Sequence, residues 1–191
     1  MSYLRTFAPW IVFAVFPAGE WQWAALVALA ICVVGITRQA RSGVPLDAQI
    51  IEIGSAAFFA ALTALAFADP HTALRAYTPS LASGALGLIA GISLAVRRPF
   101  TLGIARQSTP RERWDSPPFI RANVIITAVW TASFLIGCVI LAFLAHSSPY
   151  VVGAVQVAAF AIPMVFTVRY VARARARGQA AAGAEDGSAA A

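Results

Sequence analysis

The sequence predicts an all-α polytopic membrane bundle with five spanning helices and a short N-terminal half-helix or re-entrant segment. The first observation is composition: of 191 residues, 60% are apolar and 12% charged, against about 45–50% and 25% in soluble domains. The second is that charged residues separate long uncharged stretches, and the third is that arginines cluster on alternate segments. An ordinary soluble domain is therefore excluded.

The uncharged stretches have the lengths of membrane helices, which need roughly 17–25 mostly apolar residues. The predicted spans are residues 20–37, 49–68, 79–96, 122–145 and 149–169. Residues 6–19 contain two prolines and are too short to cross comfortably, which favours a half-helix or a re-entrant segment. We expect one transmembrane domain over 1–177 and a disordered tail over 178–191, because that Ala/Gly/Ser-rich tail has little apolar surface to bury.

The arginines predict the orientation of the bundle. Twelve of them lie in three segments on one side, namely 38–49, 97–121 and the chain after 168, whereas the other side holds Arg75 alone and Arg5 is ambiguous. Since basic residues concentrate in cytoplasmic loops, these three segments and the C-terminus are predicted to be cytoplasmic. The expected location is the bacterial cytoplasmic (inner) membrane, with a multi-pass topology.

The stretch from 97 to 134 carries the most specific pattern in the chain. It contains, in order, Arg98-Pro99-Phe100-Thr101, Ala105-Arg106, Pro110, Trp114, Pro118-Phe119, Asn123, Thr127 and Trp130. Together with the opening Ala8-Pro9-Trp10-Ile11-Val12-Phe13, this series resembles the intracellular septation protein A family and related uncharacterised bacterial integral membrane proteins. The resemblance implies an inner-membrane protein of the cell envelope, associated with septation and envelope maintenance, and brings no catalytic residues with it.

The 97–121 loop is a candidate contact surface for anionic inner-leaflet lipids or for a membrane-protein partner. Its candidate residues are Arg97, Arg98, Arg106, Arg111, Arg113 and Trp114. If the loop lay on the leaflet with Phe100 and Ile104 dipping in, each arginine near anionic headgroups would contribute about 1 kcal/mol. Alternatively, the arginines are only the positive-inside signal of a cytoplasmic loop. Nucleic acid is not an expected partner, because the basic residues adjoin spans rather than a soluble module.

A candidate intramembrane polar cluster lies on the cytoplasmic half. Its members are Glu52, Asn123, Thr127 and Thr167. Glu52 lies about 3 Å deeper than Ile50 by helix rise, so it is either an interfacial anchor or a buried ion-paired or proton-linked site. Antiparallel pairing of the last two spans brings Thr127 level with Thr167. This predicts either a polar seam between those spans or ordinary hydrogen-bonded helix packing.

Small residues recur every fourth position in the third span, at Ser83, Gly87 and Gly91. Such a face lets another helix backbone approach closely. The approaching helix belongs either to the same molecule or to a second copy in a homo-oligomer.

No catalytic, cofactor-binding or metal site is predicted. Cys32 and Cys138 differ in depth by roughly 16 Å, which is too far for a disulfide. His71 and His146 have no companions with metal-ligand spacing. The leading expectation is a non-enzymatic envelope protein that acts through protein or anionic-lipid contacts. The alternative is a small transporter or lipid-handling protein with a polar site on the cytoplasmic half.

Overall fold

The computed structural model describes residues 2–16, 18–44, 49–106 and 109–189, and those ranges contain helices and turns but no strand. The helices are α1 (Ser2–Val15), α2 (Trp21–Arg41), α3 (Ile50–Ala68), α4 (Thr78–Ala95), α5 (Phe100–Arg106), α6 (Pro117–Phe143) and α7 (Pro149–Ala189). Short 3-10 turns cover Ala18–Glu20, Ala73–Tyr77 and Arg111–Arg113. The predicted all-α fold is confirmed.

Five helices in the described part of the chain are long and apolar enough to cross a membrane. They are Trp21–Arg41, Ile50–Ala68, Ala73–Ala95, Pro117–Phe143 and Pro149–Ala174. Each of the five overlaps one predicted span. Helix α6 begins at Pro117 rather than near 122, because proline suits the first helical position and Arg121 can extend its charge back to water. The chain is thus a multi-pass integral membrane protein.

Helix α7 continues beyond its membrane segment to Ala189. The structure therefore differs from the disordered tail expected over 178–191, of which residues 190–191 lie outside the described residues. The physical reason is local, since half of the tail is alanine, the residue with the highest helix propensity. A helix also satisfies its interior backbone hydrogen bonds without a partner. A low apolar content removes the drive to pack but leaves the helical preference intact.

The short helix α1 is packed inside the bundle. The ring of Phe7 stacks on Trp130 of α6, with centroids 5.2 Å apart and planes 9° from parallel. Trp10 lies 4.7 Å from Phe59 of α3 between ring centroids, and its indole N–H donates to Ser55 Oγ at 2.9 Å. With 14 residues, α1 extends about 21 Å, less than the hydrocarbon thickness of about 30 Å. Its length is that of the predicted half-helix.

Helix α1 runs antiparallel to α2. The Thr6 hydroxyl donates to Glu52 Oε1 at 3.2 Å, in the first turn of α3. At the other end of α1, Phe13 lines a cavity beside Trp21, where α2 begins. The chain around Arg5 therefore lies at the end that carries the 38–49 loop. With Arg5 added, this end of the bundle holds 13 of the 14 arginines in the chain.

Small residues let α4 pack closely against α6. The Ser83 hydroxyl donates to the carbonyl of Phe134 at 2.9 Å. A Cβ atom added at Gly87 would lie 2.7 Å from Leu135 Cδ2, and one added at Gly91 would meet α6 at 3.4 Å. The predicted face of Ser83, Gly87 and Gly91 is thus occupied within one molecule. A homodimer through the same face would require α6 to move away.

Candidate functional site

The basic segment between α4 and α6 is attached to the bundle by α5. Phe100 and Ile104 are 5% and 7% exposed, and the Phe100 ring meets Trp130 edge to face, with centroids 6.3 Å apart. These two side chains therefore pack into the protein core. From the sequence we expected instead that they dip into the leaflet. The reason is that the nearest apolar surface is the end of the bundle itself, so that burial there already removes both groups from water.

Two buried threonines join α5 to α6. The hydroxyl oxygens of Thr101 and Thr127 are 2.8 Å apart, and Thr101 Oγ1 also donates to the carbonyl of Asn123 at 3.0 Å. A hydroxyl has a single proton, so Thr127 donates in the shared contact. The Asn123 amide donates to the Phe119 carbonyl of its own helix at 2.9 Å. This part of the predicted cluster is therefore a hydrogen-bonded joint beneath the basic segment.

The chain between α4 and α5 makes a tight turn that Ser93 holds. Arg97 adopts a φ of 58°, a left-handed conformation that ends many helices and that is costly for a residue with a Cβ. The amide of Arg98 donates to the Ser93 carbonyl at 2.8 Å, and the amide of Phe100 donates to Ser93 Oγ at 3.1 Å. Arg97 and Arg98 are thereby presented at the surface, where both side chains are exposed.

Trp114 organises the second half of the basic segment. The guanidinium carbons of Arg106 and Arg111 lie 5.1 Å and 5.6 Å from its ring centroid, within the range of cation–π attraction. The Trp114 indole N–H donates to the Thr109 carbonyl at 2.9 Å. Arg111 and Arg113 are exposed, and Trp114 is half-buried. The structure thus gathers cationic groups around an amphipathic ring on a segment that α5 anchors.

Glu52 lies in a separate group between α1, α2 and α3. Its Oε1 accepts hydrogen bonds from Thr6 Oγ1 at 3.2 Å and from Gln39 Nε2 at 3.3 Å. Its Oε2 is buried and has no hydrogen-bond partner among the described residues. Gln49, one turn earlier, is fully buried and also leaves its Oε1 unbonded, although its amide donates to the Val44 carbonyl at 2.9 Å. Two buried acceptor oxygens thus remain available near the start of α3.

Thr167, the last member of the predicted polar cluster, lies in a third group of contacts, apart from Glu52 and from the Thr101–Thr127 pair. Its hydroxyl accepts from Trp130 Nε1 at 3.0 Å and donates to the Pro163 carbonyl of its own helix at 2.7 Å. Its side-chain partner on α6 is thus Trp130, one turn from Thr127, whose hydroxyl partner is Thr101 on α5. Thr127 and Thr167 are both buried. Hydrogen bonds at this position serve helix packing, because each one satisfies a polar atom inside the apolar core.

Sequence reasoning missed the partners of the buried polar groups. Thr101 was identified only as part of a motif, and Thr6 and Gln39 were not identified at all. A usable signal existed, because Gln39 and Glu52 are polar residues at the adjoining ends of consecutive helices. Among the described residues, no group of three or more His, Cys, Asp or Glu side chains could hold a metal ion. Cys32 and Cys138 are not joined by a disulfide.

Comparisons with protein-family models, with curated proteins and with solved structures found no match to this chain. Its function must therefore be inferred from its own residues.

Proposed function

We propose that this chain is a non-catalytic integral protein of the bacterial cytoplasmic membrane that contacts anionic lipid through its 97–121 segment. The observation that carries the proposal is the placement of Arg106 and Arg111 around Trp114. An aromatic ring with a polar edge suits the headgroup region of a bilayer, and neighbouring arginines attract anionic headgroups. The contact would be on the cytoplasmic side, the side on which basic residues concentrate.

The attachment of the segment supports this proposal. A free arginine-rich loop satisfies the positive-inside rule without any fixed geometry. Here Phe100, Thr101 and Ile104 are buried, so that the arginines are held against the end of the bundle. Each basic group near that surface contributes about 1 kcal/mol. Through this surface the protein would serve envelope maintenance or septation, as the resemblance of its 97–134 stretch implies.

A photo-crosslinking amino acid placed at Arg113 in living cells tests this proposal. We expect crosslinks to anionic phospholipid, and few from the same probe at Ser147, an exposed residue at the opposite end of the bundle. Crosslinks to a specific protein instead of lipid would show that the segment binds a membrane-protein partner. Labelling that is equal at both positions would contradict the proposal.

The second candidate function is a small transporter or lipid-handling protein with a polar site on the cytoplasmic half. It draws on Glu52 Oε2, a buried acceptor to which no described residue donates a hydrogen bond. The two candidates respond differently to mutation. Replacing the five arginines 97, 98, 106, 111 and 113 by glutamine should abolish lipid contact by the loop, whereas replacing Glu52, Asn123 and Thr127 by alanine should abolish transport and leave the loop crosslinks unchanged.

A further inference from the structure

At the end of the bundle opposite the 97–121 segment lies an open cavity of about 790 Å³. It is formed where α1, α2, α4 and α7 meet the Ala73–Tyr77 turn and the link that follows α6. Its polar side chains include Arg75, Tyr77 and His146, and the Tyr77 and His146 rings meet edge to face with centroids 5.9 Å apart. None of the described residues that line it carries a carboxylate. Arg75 gives this cavity a cationic group.

An apolar groove of about 420 Å³ adjoins this cavity between α1, α4 and α7. The two spaces share wall residues, among them Phe13, Pro79 and Gln156, so they adjoin each other. Along α7 the groove extends from Gln156 to Met164, which is about 12 Å at 1.5 Å per residue. Its other walls are almost entirely apolar and include Trp10. The groove leads from the cavity beside Arg75 toward the middle of the bundle.

We propose that these two adjoining spaces together bind one anionic glycerophospholipid, with its phosphate at Arg75 and one acyl chain in the groove between α1 and α7. Both volumes lie within the range of about 300–1,000 Å³ that is usual for ligand sites. The match is one of charge and polarity, since the cationic mouth without carboxylates opens into a hydrocarbon-lined slot. The site lies at the far end from the basic segment, so that it stands or fails separately from the proposed contact of that segment.

The test uses the full-length protein in nanodiscs that contain phosphatidylglycerol with a diazirine in one acyl chain. We expect crosslinks to concentrate on Phe7–Val15 and on 156–164, several-fold above those on Ile136 and Val139, exposed side chains on α6. Arg75→Gln should lower this phosphatidylglycerol labelling about fivefold, the factor that corresponds to one cationic contact near the membrane surface. Labelling by the matching phosphatidylcholine should change little.

Blocking the groove provides a second arm. Ala161→Trp fills it from α7, and Ala158→Trp places the same ring on the same helix at an exposed position outside the groove walls. Only the first should remove the crosslinks. If Ala161→Trp lowered thermal stability, Val157→Trp would replace it, because Val157 also lines the groove and is 68% exposed.

Three results would overturn the proposal. Equal labelling of the groove peptides and of the exposed α6 face would indicate annular lipid alone. Loss of labelling in both tryptophan variants, with the folded state retained in both, would show that the groove is not the determinant. A crosslink between two copies of the chain at this face would name a second protomer as the occupant.

Discussion

Replacing Gly87 by alanine tests the close packing of α4 against α6. The added Cβ would lie 2.7 Å from Cδ2 and 2.9 Å from Cγ of Leu135, and 3.3 Å from its backbone nitrogen. Cδ2 and Cγ can move by side-chain rotation at the cost of a changed rotamer, but the backbone nitrogen moves only if α6 shifts. Overpacking of this kind costs about 1–3 kcal/mol, whereas replacing a helical glycine by alanine gains about 0.5–1 kcal/mol. The net loss of unfolding free energy is therefore roughly 0–2.5 kcal/mol.

Gly91→Ala is the matched control, one turn further along the same helix. Its Cβ would meet Thr131 Cγ2 at 3.4 Å, an ordinary contact, so the helix-propensity gain remains and the clash is absent. The two variants should differ in unfolding free energy by about 1–3 kcal/mol, measured by circular dichroism during denaturation in mixed micelles. Equal stability of the two variants would refute the argument, because it would mean that α4 and α6 are not packed as closely as these distances require.

Three further predictions concern the polar contacts. Glu52→Ala leaves the Thr6 and Gln39 donors without their acceptor and should cost about 1–3 kcal/mol in the same unfolding measurement, while Glu52→Gln keeps an acceptor and should cost less; equal stability of the parent and the alanine variant would contradict the contacts. Thr101→Val removes the hydroxyl between Asn123 and Thr127. The free energy of opening α5 should fall by about 1 kcal/mol, so that its amide hydrogens exchange faster than in the parent. Unchanged exchange would argue against the hydrogen-bonded joint. Trp114→Ala removes two cation–π contacts of about 0.5–1 kcal/mol each, so trypsin should cleave faster within the 97–121 segment, and an unchanged rate would mean that the ring does not order it.

The fold could be predicted from the sequence because the bilayer imposes a length on every span. Uncharged stretches of the right length between arginines, such as the one ending at Arg97, can form only spanning helices in hydrocarbon. Span boundaries were less accurate, since Pro117 and Pro118 start α6 before Arg121 rather than after it. The helical course of the tail was missed because its composition was judged by burial alone.

The candidate site could be predicted only in part. The arginines of the 97–121 segment and Trp114 were identified from their density, but the contacts that hold the segment depend on which helix lies nearest. Thr101 reaches Thr127 because α5 folds back over the end of α6, and a single sequence does not specify that return. The same limit applies to Glu52, whose partners come from α1 and α2. Sequence pattern gives the face of a helix, whereas the neighbour on that face is a tertiary property.

The sidedness of the two ends of the bundle can be measured by cysteine labelling in intact spheroplasts. In a chain whose Cys32 and Cys138 are replaced by alanine, single cysteines would be placed at Glu112, in the basic segment, and at Ser147, between α6 and α7; both positions are exposed. With a membrane-impermeant maleimide, we predict that position 147 is labelled and that position 112 is labelled only after the membrane is permeabilised. Labelling of position 112 in intact spheroplasts would place the basic segment outside and contradict its proposed contact with lipid of the cytoplasmic leaflet.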